Sequence, residues 1–346
     1  MYITIMNLQN RNSYVYFWIL LITILVGFII IVGGLTRLTD SGLSITRWDL
    51  FSGIFPPLNQ AQWEIAFSLY KEIPEYKLQN YSMSLTEFKT IYWWEYFHRL
   101  LGRLIGIIYF FPLIFFTYKK LLNKNFLLNF YLIFFLIMFQ GFIGWYMVKS
   151  GLVERTDVSH FRLSLHLTLA FIIFLLLLWN FLKYTRKNIP FFSKKIPFYL
   201  PNILLFLTVV QISSGALVSG LDAGQIYNTW PLMNKNYFPD DANLNIFFSL
   251  IFLETPSVLQ FLHRNLAYLI FILFLAMVFI IYKRVDFIYM KRNILFVFLA
   301  LFIQMILGIF TVLYQANIFL ASLHQFGSII LVTTLLILVY KNSKIN

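Results

Sequence analysis

Cysteine is absent from all 346 residues. That absence excludes disulfides, thiolate-held metals, iron–sulfur clusters, covalently attached c-type haem and thiol nucleophiles together. Charge is scarce as well: Asp, Glu, Lys and Arg make up 12% of the chain, against about 25% in soluble domains. Acids are the scarcer sign, 14 against 27 basic residues, for a formal net charge of +13. What is plentiful is apolar: 60% of residues are hydrophobic and 20% aromatic, with a mean hydropathy of +0.76. An ordinary soluble enzyme, a disordered chain and a nucleic-acid module are excluded, and an integral membrane protein is indicated.

Runs of about 20 apolar residues cross a hydrocarbon core of about 30 Å. Eight such runs are present, at 15–36, 99–117, 127–147, 163–182, 200–219, 263–282, 294–313 and 320–340. The first is too long for a signal-peptide core and reads as a retained helix. The distribution of Lys and Arg then orients the chain. The N-terminus, 117–126, 183–198, 283–292 and the C-terminus hold 15 basic residues and one acid, Asp286, whereas 37–97, 148–162, 220–262 and 314–319 hold 9 basic and 13 acidic ones. Both termini are therefore expected in the cytoplasm, with the long loops outside, and the positive charge is a topology signal. In loop 37–97, Trp63, Phe67 and Tyr70 recur as on an interfacial helix face. Ser84-Leu85-Thr86-Glu87 reads as a capping box, opening a helix that runs through Tyr92-Trp93-Trp94 into the second span.

The chain repeats itself. Gly33, Asp40, Gly42 and Trp48 match Gly215, Asp222, Gly224 and Trp230 at an offset of 182. His98-Arg99 and Gly102 match His263-Arg264 and Ala267 at 165, Gln140 and Gly144 match Gln304 and Gly308 at 164, and Ser164-Leu165-His166 matches Ser322-Leu323-His324 at 158. Four spans per unit is an even number, so both halves cross the membrane in the same sense. The expected fold is an all-α integral membrane protein, with eight transmembrane helices forming two pseudo-symmetric parallel four-helix bundles. Residues 1–14 form a cytoplasmic N-terminus, 15–182 the first bundle with its long outer loop, 183–199 a cytoplasmic linker, 200–340 the second bundle and 341–346 a cytoplasmic tail.

Of five histidines, four occupy repeat-equivalent places: His98, His166, His263 and His324. They begin the even-numbered spans, which enter from the outside, so all four are expected near the outer end of the hydrocarbon. Polar groups at such depth are costly and mark function. Two imidazoles from facing helices, with neither thiolate nor carboxylate cluster, suit axial ligation of a haem iron. Gly102 and Gly106 follow His98 at successive helical turns, and Ala267 holds the place equivalent to Gly102, so a flat macrocycle could approach the backbone. Arg99, Arg103 and Arg264 are candidate partners for propionates. His160, six residues before His166 and on nearly the opposite helix face, reads as an outer-loop residue. Gln140, Gln211 and Gln304 read as interhelical hydrogen-bonding residues, and Asp40-Ser41-Gly42 and Asp222-Ala223-Gly224 as turns.

The halves differ at one telling place. Glu95 stands three residues before His98, on the same helix face, whereas Gln260 stands at the equivalent place before His263. An ionisable group in only one copy points to acid–base chemistry in the first half and a structural or redox role in the second. An ion pair between Glu95 and Arg99 is the competing and compatible reading.

These residues resemble haem A synthase, in the cysteine-free form of proteobacteria and mitochondria. The resemblance is carried by Gly-Gly-Leu-Thr-Arg-Leu-Thr at 33–39, Trp-Trp-Glu-Tyr-Phe-His-Arg at 93–99, Gln-Gly-Phe-Ile-Gly-Trp at 140–145, Asp-Ala-Gly at 222–224 and His-Arg at 263–264. It implies successive hydroxylation of the C8 methyl of haem O to a formyl group, giving haem A for cytochrome c oxidase. It further implies substrate haem between His98 and His166, Glu95 in the catalytic role, and haem B, with its iron, as a cofactor between His263 and His324. The implied place is a bacterial inner membrane, with the haem sites toward the periplasm. The implied partners are the lipid bilayer, haem O synthase, an electron-transfer protein and a second copy of the chain. Some relatives carry a cysteine pair in outer loops; none is present here, so a thiol route through those loops is excluded. Two rival readings make different demands. A bis-haem electron carrier of the cytochrome b561 type would hold two identical haems and have no need of Glu95. A transporter built on parallel repeats would have a central cavity and no need of paired histidines.

Overall fold

Long uncharged runs dictate the architecture. In the computed structural model, which describes residues 12–47, 52–154, 156–185, 191–192, 195–285 and 287–343, the regular structure is helical: α1 (Ser13–Leu38), α2 (Gln60–Tyr70), α3 (Pro74–Leu78), α4 (Leu85–Tyr118), α5 (Lys124–Glu154), α6 (His160–Tyr184), α7 (Leu200–Gly220), α8 (Pro256–Tyr282), α9 (Phe287–Leu313) and α10 (Ile318–Asn342). All of these except α2 and α3 are long and apolar enough to cross a membrane, matching the eight expected spans. Of the residues used for orientation and repeat matching, Arg11, Trp48, Asp49, Arg155, Arg186, Lys187, Lys194, Asp286 and Lys344 lie outside the described residues.

The capping box opens α4 as expected: the Glu87 N–H donates to Ser84 Oγ at 3.3 Å, and the Ser84 N–H donates to the Glu87 carboxylate at 2.7 Å. The helix then runs for 34 residues, about 51 Å at 1.5 Å per residue, so it outreaches a hydrocarbon core of about 30 Å. Helix α2 folds onto the first turns of α4, and α3 packs on α5. Here the expectation of an interfacial face on α2 is corrected. Trp63, Phe67 and Tyr70 are buried within the protein, Trp63 against Tyr92 and Phe67 against Phe88, each with ring centroids 5.0 Å apart. The apolar face lies under α4 because α4 supplies a protein surface at that height.

Helix α1 packs on α4 and α6, and α5 packs on the same two, closing a ring of four. Helix α7 packs on α8 and α10, and α9 packs on those two, closing a second ring. The rings meet through α1 with α10, α6 with α7, and α6 with α10. Each helix pair of one ring thus has its repeat-equivalent in the other. One apolar cluster, around Trp18, Tyr109 and Phe130, fills the first ring and extends through Ile212 and Val332 across the junction, and another, around Phe274, Met277 and Val297, fills the second.

Candidate functional site

The four repeat-equivalent histidines meet in pairs. His98 of α4 faces His166 of α6 with ring centroids 6.4 Å apart, and His263 of α8 faces His324 of α10 at 6.5 Å. His98 lies thirteen residues inside α4, as the capping box at Ser84 implied, while the helices carrying His166, His263 and His324 start six or seven residues before them, earlier than the apolar runs alone suggested. Two imidazoles on opposite sides of one metal, with metal–nitrogen bonds of about 2.0 Å and roughly 1.1 Å from ring centre to nitrogen, would stand about 6.2 Å apart. The observed separations fit that arrangement. Among the described residues no group of three or more His, Asp or Glu side chains could hold a metal by itself, so these donors suit an iron whose remaining ligands come from a macrocycle.

A glycine on the neighbouring helix backs every one of these rings. A Cβ added to Gly33 of α1 would stand 2.9 Å from Cε1 of His98, and one on Gly144 of α5 would stand 3.1 Å from that of His166. The corresponding distances are 3.0 Å for Gly215 of α7 to His263 and 2.9 Å for Gly308 of α9 to His324. Any larger residue would push the imidazole aside. Four residues before three of these glycines stands a glutamine whose amide donates to the histidine's own backbone carbonyl: Gln140 to His166 at 2.9 Å, Gln211 to His263 at 2.9 Å and Gln304 to His324 at 2.8 Å. The interhelical role expected for the glutamines is thereby given its partner. On α1 the equivalent place is Ile29. The repeat reading found these glycines, but their contact with the histidines is made across helices and has no signature along the chain.

Glu95 is 2% exposed and accepts four hydrogen bonds. Ser44 Oγ and the Ile45 N–H donate to one oxygen at 2.7 and 2.6 Å, and Arg99 donates twice to the other at 3.0 and 2.6 Å. Arg99 also donates to the carbonyls of Ile45 and Arg47. In the second half Gln260 donates to the Ala223 carbonyl at 2.8 Å and accepts from Arg264, which donates in turn to the carbonyls of Tyr227 and Thr229. Both pairs fasten a loop segment to the helix that carries a histidine. Arg99 and Arg264, considered for propionates, thus direct these donors to protein oxygens, while Arg103 lines the cavity one turn below Arg99.

That cavity, of about 1370 Å³, is lined by both histidine pairs and by Glu95, Arg103, Gly102 and Ala267. It exceeds the roughly 300–1,000 Å³ of ordinary small-molecule pockets. A Cβ on Gly106 would meet nothing within 4 Å, and one on Gly102 only the tip of Ile29 at 3.7 Å; both glycines leave open space for a flat group. Asp40 and Asp222 take left-handed turns, φ 48° and 51°, as their sequence context suggested. Burial raises the pKa of Asp40 above the usual carboxylate range, against the opposing pull of Arg37.

Sequence reasoning missed Glu75. It lies on α3, is 3% exposed and lines the same cavity. One of its oxygens accepts from the Tyr70 hydroxyl at 3.2 Å. Burial pushes its pKa up to about 8, partly offset by that hydrogen bond. One acid among several in a loop carries no mark of burial in the sequence. His160 corrects the opposite error. Expected in an outer loop, it is the first residue of α6 and buried, packed so close to Gly220 that a Cβ there would stand 2.6 Å from its own.

Residues 16–336 match the COX15-CtaA family, described as cytochrome oxidase assembly protein. The chain is 47% identical over 339 residues to the Heme A synthase of Pelagibacter ubique (strain HTCC1062), covering 97% of this chain and 99% of that protein. It is 42% identical over 322 residues to the Heme A synthase of Rickettsia bellii (strain OSU 85-389), covering 92% and 95%. For the Heme A synthase of Rickettsia felis (strain ATCC VR-1525 / URRWXCal2) the identity is 40% over 330 residues, covering 94% and 97%.

Proposed function

The chain belongs to the cytochrome oxidase assembly protein family, and from that premise we propose that it is a haem A synthase, a membrane oxidoreductase that converts the C8 methyl of haem O into the formyl group of haem A. In this reading residues 15–182 and 200–340 are two repeat units joined by 183–199 and related by a pseudo-two-fold axis along the membrane normal. The membrane is the bacterial inner membrane, both termini are cytoplasmic, and the haem sites lie toward the periplasm. Haem O synthase supplies the substrate, and a separate redox protein exchanges electrons.

The first unit holds substrate haem between His98 and His166, with Gly102 and Gly106 giving the ring access to the helix backbone and Arg103 placed for a propionate. The second unit holds haem B between His263 and His324, where it would supply electron transfer. The fit of these residues rests on the paired rings 6.4 and 6.5 Å apart.

The observation that carries the division of labour is the clamp. A neutral amide, Gln260, suffices to fasten the outer segment of the second unit, so a carboxylate in the first is not required for fastening alone. Each hydroxylation replaces a C–H bond of the methyl by C–OH. With water as the oxygen source, two protons are released and two electrons pass to the redox partner. With O₂, two protons and two electrons from that partner are taken up as the second oxygen leaves as water. Loss of water from the geminal diol moves a further proton. Glu95, one turn from His98, takes and returns these protons as general base and acid. Ser44, Ile45 and Arg99 hold its carboxylate in one orientation meanwhile.

The test is to purify the protein from a host that makes haem O, extract its haems with acid and identify them by chromatography with mass detection. Haem B together with haem O, hydroxylated intermediates or haem A is expected. Two haem B per chain and nothing else would overturn the reading in favour of an electron carrier, and absence of haem would overturn both.

A further inference from the structure

The four histidines are not equally supported, and the difference lies in one hydroxyl. The residue preceding each backing glycine is Val32, Ile143, Ser214 and Leu307; only Ser214 is polar. Its Oγ lies 2.8 Å from Nδ1 of His263 and 2.9 Å from the backbone carbonyl of Gln211. A hydroxyl has one proton to give and a carbonyl can only accept, so Ser214 donates to Gln211 and accepts from the His263 Nδ1–H. The Gln211 amide meanwhile lies 3.2 Å from His263 Nε2, a pairing that also needs a lone pair on that nitrogen. Both contacts select the same tautomer, with the proton on Nδ1 and the lone pair on Nε2; a metal would take that lone pair in place of the Gln211 amide, which keeps its bond to the His263 carbonyl. The Nδ1 atoms of His98, His166 and His324 are buried and have no hydrogen-bond partner among the described residues.

We propose that Ser214 makes the second unit the haem-retaining site, and that Val32 at the equivalent place leaves the first unit as the site that exchanges its haem. The inference rests on the assignment of haem B to His263 and His324. An Nδ1–H that donates to an oxygen fixes the ring's rotation and raises the basicity of Nε2, so the ligand binds iron more tightly. A more basic ligand also favours the ferric over the ferrous state and lowers the potential. A cofactor must stay through every turnover, whereas a product must leave. His98 lacks both the serine and the glutamine that support His263, and is the least constrained ligand of the four.

The experiment compares purified holoprotein with Ser214→Val, Ser214→Thr, Val32→Ser and His263→Ala. Each is mixed with excess haem-free globin to time haem transfer, and the potential of the b-type haem is measured by redox titration. Ser214→Val is expected to release haem B about 10–100-fold faster and to shift its potential positive. Ser214→Thr, which keeps the hydroxyl, should match the parent. Val32→Ser should slow transfer of the O- or A-type haem, and so tests the idea independently if Ser214→Val does not fold. Unchanged transfer and potential in Ser214→Val, or unchanged transfer in Val32→Ser, would overturn the proposal while His263→Ala still loses haem B. Retention of haem B by His263→Ala would overturn the assignment beneath it.

Discussion

Glu95 and Gln260 close the same clamp with opposite hydrogen-bonding needs. The first meets a hydroxyl and an N–H, the second a carbonyl. Glu95→Gln therefore places an amide nitrogen against the Ile45 N–H, at a cost of about 1–3 kcal/mol for the unmatched donor. The variant should fold, keep both haems and bind substrate, while product formation falls by about 100-fold or more, the usual contribution of a positioned acid–base group. Single-turnover conversion of bound haem O, followed by haem extraction, measures this; turnover within a few-fold of the parent would remove Glu95 from the chemistry. The Glu95, His98 and Arg99 constellation was legible because three- and four-residue spacing on a helix dictates a shared face. Ser214 was not legible in this way. Its meaning depends on a ring carried by another helix, and a lone serine in an apolar span reads only as a tolerated small residue.

At the scale of elements, run length revealed the eight spans and a four-residue motif revealed the start of α4. The outer layer built by α2 and α3 was legible only in part: apolar periodicity reports that a face is covered but not whether lipid or protein covers it. Glu75 shows what the covering does. Tyr70 and Asn80 address its carboxyl, and the negative charges of Asp157, Glu95 and Asp40 face it across the site. Its pKa rises from 4.5 in the unfolded chain to about 8 in the folded one. The folded state therefore holds the extra proton between those values, and stability falls as pH rises through that window, by at most about 1.4 kcal/mol per unit. Below about 4.5 this contribution is fully present, and above about 8 it is lost. Hydrogen exchange of α2 and α3 in detergent should accelerate across that range, and Glu75→Gln should flatten the dependence. An unchanged slope in the variant would assign the effect to another group.

The whole molecule is two rings fastened at unlike points. The repeat offsets suggested two units but not how the two rings meet, because residues such as Gln325 and Gly34 that fasten them have no like residue at the equivalent places. Gln325 of α10 donates to the Ile30 carbonyl of α1 at 2.7 Å, and a Cβ on Gly34 would stand 1.6 Å from its side-chain oxygen; the equivalent places hold Ala216 and Leu167. Arg37 of α1 also reaches across to the Ser219 carbonyl and Asp222, each at 2.9 Å. Since Gln325 adjoins His324, Gly34→Val in the first unit should disturb ligation in the second, seen as a shifted or diminished b-type haem absorption with α1 still inserted. An unaltered haem spectrum would show that the units tolerate separation.

The histidines of each pair are carried by different helices, so an unfolded chain has no comparable pair to offer. With the proposed ligation, haem becomes a reactant in the folding equilibrium, and free haem at a hundred times its dissociation constant would add about 2.7 kcal/mol to the stability of the folded protein. Scarcity of haem in the cell would act twice, by starving the reaction and by shrinking the population of chains able to perform it.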